Sequence, residues 1–110
     1  MQESMFARWL ANDYVARHGG RLAVAPQRDA LARCRRVEQY EGDLDAHYAR
    51  DRMRELLQKL EYSTDHEKHR VPPAHSIPIT GDIRTGTASL KSALVLYRSF
   101  LESRSSRMRP

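Results

Sequence analysis

The chain has 110 residues, a formal net charge of +5 and one cysteine, so it is sized for a single modest domain that withdraws about two-thirds of its unfolded surface from water. One thiol excludes an internal disulfide framework and suits a reducing, cytoplasmic setting. No apolar run approaches membrane-spanning length, and residues 1–15 lack the basic start, apolar stretch and small-residue site of a signal peptide.

Helical periodicity recurs four times, and strand-like alternation is confined to Leu22–Val24 and Ile77–Ile79. Met5, Phe6, Trp9, Leu10 and Tyr14 predict a first helix over Ser4–His18, closed by Gly19 and Gly20. A second begins near Pro26, whose missing N–H is harmless in a first turn, and carries Ala30, Leu31, Cys34 and Val37 on one stripe as far as Gly42. At about 100° per residue, Arg28, Arg35 and Arg36 fall away from that stripe and Arg33 lies at its margin. Asp43 and Asp45 stand where cap oxygens belong, ahead of a third helix that aligns Ala46, Ala49, Met53, Leu56, Leu57 and Leu60 and ends near Tyr62.

Ser63 to Gly86 holds three prolines, three histidines and no helical period, which predicts a long irregular loop. A fourth helix follows from a Thr85 or Thr87 cap, with Leu90, Ala93, Leu94, Tyr97 and Leu101 widened by Leu96 and Phe100, an arc suited to a central helix packed on both sides. Residues 1–103 thus form one all-α, compact four-helix domain, and 104–110 read as a basic, disordered tail.

Residues capable of chemistry are scarce. Asp65, His66, Glu67 and His69, with His75 beyond, supply zinc-type ligands, yet Pro72 and Pro73 deny them a helical spacing and Lys68 and Arg70 repel a cation. A hydrogen-bonded loop is the better reading, with no metal and no cofactor. Cys34 lies on an apolar stripe, where its thiolate is disfavoured. Glu41, Asp43 and Asp45 could form an acid–base trio, but Asp43 and Asp45 are explained as caps. Gly81 and Gly86 are too isolated for a phosphate loop. The chain therefore reads as non-enzymatic. Trp9, Tyr97 and Phe100 belong to the core pattern, whereas Tyr48 lies off its stripe near Arg52 and suits either stacking on a partner or covering a helix seam.

Sixteen of the nineteen basic residues are Arg, whose planar fork matches phosphate oxygens bidentately. That balance favours nucleic acid; the plainer reading is a solvated surface encoded by GC-rich codons.

The run Arg35-Arg36-Val37-Glu38, then Gly42-Asp43-Leu44-Asp45 with Tyr48, Leu56-Leu57, Leu60 and Tyr62-Ser63, the His75, Ile77-Pro78-Ile79 and Gly81 loop, and Ser92-Ala93, Leu96-Tyr97 and Phe100-Leu101-Glu102 together resemble a small helical N-terminal module of bacterial restriction- and mobile-element-associated proteins. The likeness spans Phe6 to Glu102. The helix order also looks like the SAM-like core-binding domain of tyrosine recombinases, whose catalytic residues sit in a separate domain and so carry over to no residue here. The expectation is a module binding nucleic acid, double-stranded DNA above all, through Arg28, Arg33, Arg35 and Arg36, with Lys91 and Arg98 on the fourth helix and Arg104, Arg107 and Arg109 in the tail. The alternative is a protein adaptor or homodimer docking on the fourth-helix face around Val95.

Overall fold

The computed structural model describes the backbone of residues 1–108 and the side chains of residues 1–104. It is all-helical, with no strand among the described residues, and has six helices where periodicity predicted four. These are α1 (Glu3–Asn12), α2 (Val24–Glu41), α3 (Leu44–Asp51), α4 (Arg54–Lys59), α5 (Thr64–Lys68) and α6 (Ile83–Met108). At about 1.5 Å per residue, the 26-residue α6 sets the long axis of a molecule measuring 48 × 31 × 22 Å.

The central position expected for the last helix is realised: α6 packs chiefly on α2 and also meets α1 and α5. Phe6, Leu10, Ala30, Cys34, Val37, Leu90, Ala93, Leu94, Tyr97 and Phe100 close the interior between these helices, and Met53, Leu56, Leu57 and Leu60 extend it beneath the short ones. The aromatic centre interlocks, with Phe6 edge-on to Tyr97 at 5.0 Å and 5.5 Å from Phe100.

Each departure from the expected elements has a local cause. The first helix stops at Asn12 rather than His18 because the Tyr14 ring turns back onto Trp9, 5.3 Å away, while the Asp13 and Tyr14 N–H groups both donate to Trp9 O. Gly19 and Gly20 build a separate turn, Gly19 at φ 86°, that buries Ala16. Gly42 does end α2 as expected, at φ 94° with its N–H donated to Glu38 O, a conformation that a Cβ would oppose.

The expected third helix is two helices. Arg52 and Met53 both take left-handed φ values, 57° and 65°, and their N–H groups close α3 onto Tyr48 O and His47 O. Asp51 Oδ2, from the end of α3, then accepts the Glu55 N–H at 3.0 Å and satisfies one first-turn donor of α4, whose N-cap Met53 makes no side-chain cap bond. The kink sends Met53, Leu56, Leu57 and Leu60 inward and leaves Ala46 and Ala49 exposed. Two left-handed non-glycine residues are strained, and burial of four large side chains outweighs that cost.

The region expected to be wholly irregular contains α5, opened by a reciprocal cap in which Ser63 Oγ accepts the His66 N–H and His66 Nδ1 accepts the Ser63 N–H. Asp82, rather than Thr85 or Thr87, caps α6: its Oδ2 accepts from the Thr85 N–H at 3.0 Å and from the Thr85 hydroxyl. Those two bonds hold the Asp82 carboxyl below its ordinary range. Thr87 is buried instead and pairs with His75. The helical backbone runs on to Met108, through most of the segment read as a tail.

Candidate nucleic-acid interface

The arginines of α2 reach the surface because Ala30, Cys34 and Val37 turn the opposite face into the core. Cys34 donates its S–H to Ala93 O at 3.4 Å, and burial, with the nearby Glu38 charge, pushes its thiol up to about 12. It packs the α2–α6 seam and is not an available nucleophile. Across the helix, Arg28, Arg33, Arg35 and Arg36 are all exposed, over a rise of about 12 Å.

Their partners differ. Arg28 and Arg33 have no hydrogen-bond or ion-pair partner among the described residues. Arg35 is bound to the Glu3 carboxylate of α1, and this bond holds the Glu3 carboxyl below its ordinary range. The pair is solvent-exposed, so it is screened and readily exchanged. Arg36 donates from Nη2 to Pro78 O at 2.5 Å and lies 5.6 Å from the Tyr40 ring. Arg33 and Arg36 form one wall of a groove of about 350 Å³, faced by Pro78, Ile79, Thr80, Gly86 and Ser89.

That facing loop is fastened at several points. His75 Nδ1 accepts the Ile77 N–H at 3.1 Å, which leaves its Nε2 proton for Thr87 Oγ1, 2.9 Å away. Burial lowers the His75 pKa, opposed by the Glu41 carboxylate. Ser76 donates its N–H and hydroxyl to Glu41 Oε2. Burial alone would raise the Glu41 carboxyl, but these bonds and Lys59, 3.5 Å away, hold it below its ordinary range. The groove wall opposite the arginines is therefore built, not loose.

The remaining expected contacts are not gathered there. Lys91 lies 2.8 Å from Glu61 and lines a groove with Tyr62 and His66. Arg98 is 3.8 Å from Glu102, one turn along α6. Arg104 lies 5.7 Å from the Phe100 ring, beside α1. The side chains of Arg107 and Arg109 lie outside the described residues. Arg17 was missed: the early end of α1 brings it beside Lys91, Tyr14, Ser92, Val95 and Leu96, around a groove of about 550 Å³. A helix continuing to His18 would have placed it elsewhere, and no sequence signal marked the return of Tyr14 onto Trp9. Arg54, exposed at the start of α4, was likewise missed, and Arg52, noted only as a neighbour of Tyr48, is itself one of the two left-handed residues of the α3–α4 kink.

Val95 and Tyr48 are both partly buried and packed against the core, so Val95 is not an exposed apolar residue on the α6 face. His66 serves the α5 cap, and the His69 ring nitrogen Nδ1 lies 2.9 Å from Asp65 O. Among the described residues no group of three or more His, Cys, Asp or Glu side chains is placed to hold a metal ion.

Comparison of the chain with protein-family models, with curated proteins and with solved structures finds no match. Fold and surface define an all-helical domain with an arginine-bearing helix face, and no described helix is long and apolar enough to cross a membrane.

Proposed function

We propose that this chain is a non-catalytic helical module that binds nucleic acid, double-stranded DNA above all, through phosphate contacts from α2. The observation that carries the reading is the exposed face holding Arg28, Arg33, Arg35 and Arg36, on which Arg28 and Arg33 have no partner among the described residues. Guanidinium groups on a rigid helix reach successive phosphates without the ordering cost of a flexible segment. Thr80 across the groove adds a hydroxyl donor to the same surface, whereas the Ser89 hydroxyl is donated to Thr85 O at 3.1 Å. A SAM-like, core-binding architecture, supported by short helices gathered around the long α6, and a place in a cytoplasmic bacterial restriction or mobile-element system belong to the same proposal.

Fluorescence anisotropy with a labelled duplex at several salt concentrations tests it. Four neutralised phosphates give a log–log salt slope of about −3.6. Arg28→Ala with Arg33→Ala should reduce the steepness by about 2 and weaken binding similarly for unrelated sequences, because phosphate contacts carry no base information. Absence of binding at low salt, or an unchanged slope in the double variant, would overturn the assignment.

A further inference from the structure

Where α1 crosses the end of α6, Met5, Trp9 and Phe100 converge on a concavity of about 250 Å³ whose rim carries Arg8, Arg104, Asp13 and Ser103. Met5 is exposed, Trp9 half-buried and Phe100 buried at the base, so one depression exposes apolar surface from both helices. The floor is rigid. Trp9 stacks on Phe6 at 6.2 Å and lies 5.9 Å from Phe100, which is itself buried and 5.6 Å from Tyr97. The edge is adaptable, since Met5 is 48% exposed and an unbranched thioether moulds itself to what it meets. Arg8 has no ion-pair partner among the described residues, and Arg104 is held 5.7 Å from the Phe100 ring. Two guanidinium groups face one carboxylate, so the rim is net positive around an apolar centre.

We propose that this groove docks an acidic amphipathic segment of a partner protein, one large apolar side chain entering between Met5 and Trp9 while flanking carboxylates pair with Arg8 and Arg104. Charge complementarity selects this occupant, because an apolar knob ringed by negative charge matches an apolar floor ringed by positive charge. A pre-formed aromatic floor lowers the ordering cost on this side, and Trp and Arg are the residues that most often carry binding energy. The site shares no residue with the α2 face, and Arg104, expected from the sequence to contact nucleic acid, lies on its rim.

Trp9 is the chain's one tryptophan, which makes its emission a local reporter of the groove. The test titrates the intact chain with a short amidated peptide bearing Leu and Phe at helical spacing between glutamates, beside a control with every Glu replaced by Lys. The acidic peptide should shift the Trp9 emission saturably and the basic one should not. Arg8→Glu with Arg104→Glu should weaken the acidic peptide about tenfold or more, and the exposed Met5→Asp should do the same at unchanged helicity. No response to the acidic peptide, or an equal response to the basic one, would overturn the proposal. So would a duplex DNA that shifts Trp9 emission where the peptide does not, because the groove would then belong to nucleic acid.

Discussion

The Tyr97 hydroxyl offers the sharpest test of how this small domain is held. Its O–H donates to Asp45 Oδ1 at 2.5 Å and its oxygen accepts the Gln2 N–H at 2.7 Å, so one atom ties α6 to α3 and to the residue preceding α1. Tyr97→Phe deletes that atom and keeps the ring packed against Phe6 and Phe100. A bond to a charged acceptor is worth about 1.5–3 kcal/mol and a neutral one about 0.5–1.5. The Asp45 side chain is 34% exposed, so water recovers part of the first contribution. The expected loss is about 2 kcal/mol, or about 8–16 °C in Tm for a domain of this size. Urea unfolding followed by circular dichroism should show a lower midpoint at unchanged slope, since the surface exposed on unfolding is the same.

The same group predicts an alkaline signature. Burial, reinforced by the bond to Asp45, raises the Tyr97 pKa above its ordinary value. A raised folded-state value contributes stability below the unfolded pKa of about 10 and loses it as pH rises beyond that point, so wild type should approach the Phe variant in stability there. A loss below about 0.5 kcal/mol, inside the range of an unremarkable surface change, would refute the view that this hydroxyl joins the three elements.

Three further outcomes follow from the structure. His75, whose pKa is lowered by burial, contributes stability that is full above about pH 6.5 and lost as pH falls toward its folded value; melting temperatures between about pH 7 and pH 5 should fall in wild type and fall less in His75→Gln. A Cβ on Gly86 would meet Ile79 Cγ2 at 2.6 Å, so Gly86→Ala should lower stability in urea unfolding despite the gain of about 1 kcal/mol in helix propensity. Cys34, buried and with its thiol pushed up to about 12, should resist a thiol-specific disulfide reagent until denaturant is added.

Periodicity located the material of every long helix, because a face destined for the core must repeat at about 3.6 residues whatever it packs against. It therefore marked Cys34 and Val37 as interior and Arg28, Arg33, Arg35 and Arg36 as surface before any partner was known. It could not locate the break at Arg52–Met53: the apolar spacing of Ala46 to Leu60 is that of one continuous helix, and only the requirement that Met53, Leu56, Leu57 and Leu60 reach an interior shared with α6 makes two left-handed residues tolerable. The caps followed the same division. Asp43 was legible because an acidic residue ahead of an apolar run is a local signal, whereas choosing Asp82 over Thr85 and Thr87 depended on His75 drawing Thr87 inward.

The candidate site divides likewise. Which arginines face water is a property of one helix and its stripe. Which of them are free is a property of neighbours: Glu3 reaches Arg35 from α1, Pro78 O reaches Arg36 from a loop forty-two residues away, and Arg28 and Arg33 remain without a described partner. Local sequence determines helix faces because the repeat is local, and the tertiary structure decides the pairing of charges because their partners are brought together only when the chain closes on its core.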